Sequence, residues 1–439
     1  MIKAHAISWF QDNLPEFQLV EEKYKDIIKK NYSLSWFTPI DTPVLERLDV
    51  LLSKWADDNE IYWIHRVNWE VWDDKWLGLR FDLTVPLARY VAMYEWELTF
   101  PFKRQHISRV YRGERPQKGR YREFYQADID IIWNGKLPLF ADVEILTTIY
   151  NSLRELDFWD FVININNKKF LEWFLETLEI SDIVWTISII DKKDKLRKDK
   201  LQELFIWVWL NDSQISSIFE FIANWEQKTS EELLEIYSQS SNELLKTWLK
   251  ELKFVYENLI SLWVKEDYIK INPAISRWLN YYTGTVFETF ITWEEKLWSI
   301  SSGWRYENLA SNFTKNSYPW VGGSIGLTRL LSVLNNLWKI TTWSKTTSDV
   351  MIVNMWEDTL SWNLSILKDL RNSWINSEIY LDSDTKIQKQ LKYANNKNIR
   401  YVIICGPEEF DNWIVQLKNL ELWEQIEVKI SDIVKNIKK

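Results

Sequence analysis

The chain has 439 residues, of which 46% are hydrophobic and 27% charged, and its net charge at pH 7 is −9. This length predicts two or three domains. No apolar run approaches the roughly 18 residues of a membrane helix, the N-terminus lacks a signal-peptide pattern, and the single cysteine, Cys405, excludes a disulfide framework, so we expect a cytoplasmic protein without membrane contact.

The first part of the chain, residues 1–150, mixes helix and strand patterns. Residues 18–32 alternate apolar and charged positions at helical spacing, and FTPIDTPVL, with its two prolines, predicts an extended segment that enters a strand. ADIDIIW predicts a strand and LFADVEILTTIYNSLREL a helix. Residues 166–265 are rich in Leu, Glu, Lys, Ser and Asn and predict a helical insertion, after which strand and turn patterns return over 266–335.

The C-terminal part of the chain has a different pattern. Residues 336–348 are polar and predict a linker. From 349 to 439, strand patterns such as VMIVN, SEIYL and YVIIC alternate with helical ones, and ISDIVKNIKK predicts a closing helix. Strands that alternate with helices indicate an α/β unit with a largely parallel sheet.

The tryptophan content is abnormal. The chain has 29 tryptophans and ten glycines, whereas glycine usually makes up about 7% of a protein. Many tryptophans lie where glycine is useful, at turns and helix ends such as LRNSWINSEIYL, ELDFWDF and NLELWEQ. We therefore expect most or all of them to be glycine in the native protein, encoded by UGA that is read as glycine. The alternative is a genuinely tryptophan-rich protein, such as a carbohydrate or peptide binder.

The densest chemical signal is RVYRGERPQKGRYREFYQADIDI, residues 109–131. Six basic residues and one acid lie between Arg109 and Arg122, within a loop that strand patterns flank. Arginines held on strands suit bidentate contacts with phosphate. A solvated surface loop is the alternative for the charge run alone.

Six segments together resemble those of a known enzyme family. Residues 109–131 resemble motif 2 of class II aminoacyl-tRNA synthetases, and in detail that of the histidyl-tRNA synthetases. RWLNYYTGTVFE (277–288) and SSGWRYENL resemble the two histidine-specific motifs, PWVGGSIGLTRL (319–330) motif 3, and SWFTPIDTPVLE (35–46) the dimer-forming motif 1. LGLRFDLTVPLARYVA (77–92) resembles the segment that holds the substrate amino group. In the histidine-specific motifs and motif 3 a tryptophan takes the place of a family glycine.

The resemblance implies a fold and an activity. It implies an α+β catalytic domain over 1–335, an antiparallel sheet flanked by helices, with an α/β anticodon-binding domain over 349–439. It also implies a homodimer that uses ATP and Mg²⁺ to activate L-histidine as the adenylate and transfers it to the 3′ end of tRNA(His). Such a site works by positioning and by electrostatic stabilisation, without a side-chain nucleophile.

The resemblance also assigns roles to individual residues. For histidine, it implies Asp82, Leu83, Thr84 and Gln126 around the amino group and Asp130, Tyr281 and Tyr282 around the imidazole. For ATP, it implies Arg112 and Arg277 as the catalytic cations at the α-phosphate, Arg120 and Arg329 on the ATP tail and adenine side, and Phe124 stacked on the base. Mg²⁺ is expected on the β- and γ-phosphates.

Other residues and other functions stay open at this stage. Asp128 fits a solvated position on an ordinary strand, and we interpret His5, His65 and His106 as structural or surface residues. The main rival function is a synthetase-like regulatory subunit that binds histidine or tRNA without charging it. A synthetase for another amino acid is the second alternative.

Overall fold

A computed structural model describes the whole chain except residues 1, 54–59, 66–75, 116–118, 159, 191, 194–195, 239–242, 274, 276–281, 293–298, 308, 341–343, 356 and 439. The chain divides into two compact units, one of residues 1–11 and 24–339 and the other of residues 12–23 and 340–439. Among the described helices, none is both long enough and apolar enough to cross a membrane.

The larger unit contains an eight-stranded sheet and a small three-stranded sheet. Its strands are β1 (Thr38–Pro39), β2 (Leu45–Arg47), β3 (Trp63–Ile64), β4 (Leu77–Leu79), β5 (Phe102–Tyr111), β6 (Glu123–Ile132), β7 (Phe161–Asn167), β8 (Ile269–Ile271), β9 (Tyr282–Ile291), β10 (Ser301–Tyr306) and β11 (Trp320–Ile325). The large sheet has the order β1-β5-β6-β11-β10-β9-β7-β8, and the small sheet β2-β4-β3. The strands of the small sheet lie between β1 and β5 in the sequence. Only the two edge pairs of the large sheet, β1 with β5 and β7 with β8, are parallel. The predicted antiparallel sheet is therefore confirmed for the central strands.

Helices precede, interrupt and cover this sheet. Those before residue 340 are α1 (Pro15–Leu34), α2 (Leu48–Leu52), α3 (Thr84–Met93), α4 (Phe140–Glu155), α5 (Lys168–Thr177), α6 (Ile183–Ile190), α7 (Lys198–Trp207), α8 (Asp212–Gln227), α9 (Ser230–Ser238), α10 (Glu243–Ser261) and α11 (Leu327–Asn336). Six of them, α5 to α10, lie between β7 and β8. Helix α4 packs its buried Ile145 and Ile149 so closely on β11 that a Cβ at Gly323 would lie 2.6 Å from Ile149.

The smaller unit contains a five-stranded sheet with the order β13-β12-β14-β15-β16. Its elements are β12 (Val350–Ile352), α12 (Leu360–Asn372), β13 (Ser377–Ile379), α13 (Ile387–Asn396), β14 (Tyr401–Ile404), α14 (Pro407–Asp411), β15 (Ile414–Asn419), β16 (Glu424–Lys429) and α15 (Ile433–Ile437). The expectation of a largely parallel sheet is only partly right. Strands β13, β12 and β14 are parallel, but β14, β15 and β16 are antiparallel. The short connection between β15 and β16 permits only a hairpin for that pair.

Five helices of ten or more residues are followed, two positions after their last residue, by a tryptophan whose backbone is left-handed. They are α1, α7, α10, α11 and α12, and the residues are Trp36, Trp209, Trp263, Trp338 and Trp374, with φ between 57° and 69°. After α12, for example, the amide of Trp374 donates to the carbonyl of Arg371 and the amide of Ile375 to that of Leu370, both at 3.0 Å. This is the Schellman arrangement, in which the residue after the helix is usually glycine. Among all described non-glycine residues with positive φ, eight of eleven are tryptophan.

Candidate active site

One face of the large sheet carries a row of polar side chains. Residues two apart on a strand point to the same face, and directly paired residues on neighbouring strands share it. On β6, Gln126, Asp128 and Asp130 therefore lie on one face, and their partners on β5 are Ser108, His106 and Arg104. On the other side of β6, Asp128 pairs with Ser324 and Asp130 with Gly322 of β11. The opposite face packs on α4, so the polar face is the one available to a ligand.

The basic loop brings an arginine over two aromatic rings at the end of this face. The guanidinium of Arg112 lies 4.3 Å from the ring centroid of Phe81 and 5.1 Å from that of Phe124, and its Nε donates to the carbonyl of Phe81 at 3.2 Å. Glu114 lies beside it, 3.8 Å from Arg112 and 2.6 Å from Arg120. Two of the predicted phosphate-binding arginines thus share one carboxylate and are held near each other.

Asp82 caps the helix that borders the site. Its Oδ1 accepts from the amides of Thr84 at 3.0 Å and Val85 at 2.8 Å, at the start of α3. Leu83 is fully buried and therefore anchors this turn through packing. The charges of Asp82 and Arg112 both act on Asp128, so residues from three segments lie close enough to influence one another.

The expectation that Asp128 is solvated is wrong. The residue is 4% exposed, and burial raises the pKa of its carboxyl group to about 6, a shift that Arg104 and the Ser324 hydroxyl oppose. Its Oδ1 has no hydrogen-bond partner among the described protein atoms. A buried acceptor of this kind, between Gln126 and Asp130 on one strand, suits a cationic ligand group.

Asp130 has two strong contacts and a close glycine. Arg104 Nη2 lies 2.5 Å from its Oδ2, and the Tyr306 hydroxyl donates to its Oδ1 at 3.2 Å. A Cβ at Gly322 would lie only 1.9 Å from Asp130 Oδ1, so this strand must have glycine there. Neither Arg104 nor Tyr306 was assigned a role from sequence, because their link to Asp130 depends on strand register and not on local spacing.

Trp304 lies in the same cross-strand row as Asp130. It pairs with Gly322 on one side and with Val286 on the other, and packs with Val286 and Ile275. Because paired residues share a face, its indole projects from the face that carries Gln126 and Asp130. A glycine at this position would open that space.

Of the other predicted residues, two are described by the structure and two are not. Arg329 lies in α11 and its Nη1 donates to the carbonyl of Ser299 at 3.0 Å, and Tyr282 begins β9 opposite Tyr306. Arg277 and Tyr281 lie outside the described residues.

The histidines and the cysteine are not brought into a metal site. His106 is buried, not superficial: its Nε2 lies 3.0 Å from Asp41 Oδ1, and burial lowers its pKa to about 4. Burial also raises the pKa of the Cys405 thiol to about 11, which keeps it unreactive. Within the described part of the chain, no group of three His, Cys, Asp or Glu side chains could hold a metal ion.

Comparisons with known proteins agree with this geometry. The family model "Histidyl-tRNA synthetase" matches residues 9–330, and the model "Anticodon binding domain" matches 349–439. The chain is 40% identical to proteins named "Histidine--tRNA ligase" from Finegoldia magna, where all of both chains is covered, and from Clostridium tetani, where 100% of this chain and 99% of the other are covered. It is also similar to the crystal structure of histidyl-tRNA synthetase from Nostoc sp. PCC 7120, with a TM-score of 0.92, 35% identity and coverage of 100% and 99%.

Proposed function

The chain belongs to the histidyl-tRNA synthetase family and is an ATP-using histidine–tRNA ligase, and from this premise we propose how its residues divide the work. The observation that carries the proposal is the polar row Gln126, Asp128 and Asp130 on one sheet face, with Arg112 over Phe124 at its end. The carboxylates of the row suit an amino acid that has an ammonium group and a ring with N–H donors. The arginine at the end of the row suits the phosphate groups of ATP.

Histidine lies along β6 in this proposal. Its ammonium group binds near Asp82, Thr84 and Gln126, and its imidazole donates to Asp130, with Tyr281 and Tyr282 around the ring. The burial of Asp130 supports this role, because a ring without an N–H donor would displace water from the carboxylate without replacing that hydrogen bond. Arg104 and Tyr306 hold the carboxylate in place. Leu83 supports the pocket through packing alone.

ATP lies toward the basic loop. Arg112 and Arg277 stabilise the charge that develops on the α-phosphate, Arg120 and Arg329 bind the ATP tail and adenine side, and Phe124 stacks on the base. Mg²⁺ arrives with ATP and is held chiefly by the β- and γ-phosphates, which fits the lack of a three-residue metal cluster among the described side chains. The adenylate then donates its histidyl group to the 3′ end of tRNA(His).

The proposal extends to assembly and location. Motif 1 exposes the apolar Val44 and Leu45, which supports a homodimer joined through this segment. We propose that the enzyme works in the cytoplasm, where tRNA is charged. Analytical ultracentrifugation of the purified protein tests the dimer, and a monomer at micromolar concentration would contradict it.

We further propose that most or all of the 29 tryptophans are glycine in the native protein, encoded by UGA. Two observations support this: the helix-end tryptophans with positive φ, and the fully buried Trp320, whose Nε1 has no hydrogen-bond partner among the described protein atoms. The codons of the gene and the intact mass of the native protein test it. Genuine tryptophan in the native chain would contradict it.

The site assignments are tested with the full chain carrying glycine at the 29 positions. Histidine-dependent exchange of pyrophosphate into ATP should be present, and Asp130→Asn should raise the KM for histidine far more than the KM for ATP. Tyr282→Phe should lose discrimination among ring-bearing amino acids. Unchanged discrimination would instead favour a role for Tyr282 outside the ring pocket.

A further inference from the structure

A buried guanidinium lies beneath the two inner carboxylates of the site. Arg104 is fully buried, and its Nη2 lies 2.5 Å from Asp130 Oδ2 and 3.8 Å from Asp128 Oδ2. It is the direct cross-strand partner of Asp130. The register of β5 and β6 therefore fixes the cation under the carboxylate that the proposed function gives to the imidazole.

Arg104 is poorly suited to a purely stabilising role. Its Nε, Nη1 and Nη2 have no hydrogen bond of good geometry to described protein atoms, so Nη2 contacts Asp130 as an ion pair. A buried ion pair is often no more stable than apolar residues of the same volume. A guanidinium held this close favours the ionised form of a carboxyl group. It also fixes the direction in which that group presents its second oxygen.

The cation offsets the negative charge of the carboxylates in the row. Arg104 lies within 4 Å of the carboxylates of both Asp128 and Asp130, and the charges of Asp82 and Arg112 also act on Asp128. Arg112 lies against Phe81 and Phe124, whereas Arg104 is in direct contact with Asp130. Without it, the neighbouring carboxylates of Asp128 and Asp130 would repel each other.

We propose that Arg104 is a positioning residue for histidine: it holds Asp130 as an oriented acceptor for the imidazole N–H and so sets the affinity for the amino acid, not for ATP. This inference rests on the proposed role of Asp130. It assigns Arg104 no contact with the substrate.

The first experiment separates the two substrates in the full chain that carries glycine at the 29 positions. Arg104→Met keeps an unbranched side chain that fills part of the same space but removes its charge. It should raise the KM for histidine about tenfold or more, the size expected for a hydrogen bond to a charged group, and leave the KM for ATP within about twofold. Arg104→Lys should restore part of the loss, because it retains the charge without the planar fork. A histidine KM that Arg104→Met leaves unchanged overturns the proposal.

Arg109 provides a matched control. It lies on the same strand, but it is an odd number of residues from Arg104 and so points to the other face, where it pairs with the Glu123 carboxylate at 3.3 Å. Arg109→Met should leave the KM for histidine unchanged. An equal rise in the two methionine variants would show a general charge effect and overturn the specific role of Arg104.

A double-mutant cycle tests whether Arg104 acts through Asp130. Asp130→Asn combined with Arg104→Met should raise the histidine KM no more than Asp130→Asn alone, whereas full additivity overturns the proposal. If Arg104→Met does not fold, the same cycle with Arg104→Lys decides the question. If Asp130→Asn alone leaves the histidine KM unchanged, the proposed function of Asp130 fails. If it raises the KM but Arg104 variants do not, only the present inference fails.

Discussion

Tryptophans at the helix ends and tryptophans in the central sheet lie in opposite environments. At the ends of α10 and α12, the indoles of Trp263 and Trp374 are 88% and 94% exposed, and only the backbone conformation is unfavourable. In β10 and β11, Trp304 and Trp320 lie beside glycines that closely approach their neighbours: a Cβ at Gly303 would lie 2.2 Å from the carbonyl of Gly322. Tryptophan is thus unfavourable at the helix ends because of its backbone conformation, and in the sheet because of the volume of its side chain.

We therefore expect tryptophans at the helix ends to affect stability, and tryptophans in the sheet to affect substrate binding. A left-handed backbone costs an L-residue about 1–2 kcal/mol without disturbing its surroundings. A large side chain on the ligand-binding face of a sheet can leave the fold intact and remove the space for the substrate. We therefore expect the two groups of tryptophans to be distinguishable by experiment.

The largest expected effect concerns Trp304. A chain that keeps only Trp304, with glycine at the other tryptophan positions, should lose histidine-dependent pyrophosphate exchange by about 100-fold or more relative to the chain with glycine at all of them, since the loss of substrate positioning alone reaches this size. The reason is that the indole occupies the row between Gly322 and Val286. A chain that keeps only Trp374 is the control and should retain full activity. Equal activity of the two chains would remove the distinction between the regions.

The next largest effect concerns the pH dependence of stability that Asp128 causes on the polar face of the sheet. The folded-state pKa of Asp128, about 6, lies above its unfolded value of 3.8, so the folded state holds the proton more tightly and loses stability as the pH rises from about 4 to 6. Asp128→Asn cannot titrate. Its free energy of unfolding relative to the parent should therefore increase over this range, by up to about 3 kcal/mol, and then stay constant. Urea unfolding at several pH values measures this, and a pH-independent difference would contradict the buried, ionising Asp128.

Asp128 and Asp130 also show which features of the site could be predicted from sequence. The strand that carries Asp130 could be predicted because its pattern is local, and the class II fold could be expected because the motifs resemble those of a known family. The burial of Asp128 could not, since it depends on segments from elsewhere in the chain that cover the sheet. The contacts of Asp130 with Arg104 and Tyr306 were equally hidden, because strand register brings together residues that no periodic pattern connects.

At the helix ends the expected effect is smaller and purely energetic. The chain that keeps only Trp374 should be less stable than the all-glycine chain by about 1–2 kcal/mol, with unchanged KM values for histidine and ATP. The same comparison at Trp263 should give a similar result, because both residues follow a helix with the same hydrogen bonds. Chemical denaturation measures the difference. A loss of activity at either position would show that helix ends also affect the site.

The smallest expected effect comes from a helix end that does not use tryptophan. Asn398 follows α13 with a φ of 56°, and the amide of Ile399 donates to the carbonyl of Ala394 at 3.0 Å, as at the other helix ends. Asparagine tolerates this conformation better than other residues with a Cβ, so Asn398→Gly should raise the free energy of unfolding by only a few tenths of a kcal/mol. Glycine in place of Trp374 could raise the free energy of unfolding no more than Asn398→Gly does. In that case the strain at the tryptophans would be a property of the backbone position and not of the bulky side chain. A smaller gain at Asn398 would support glycine as the residue for which those five helix ends are built.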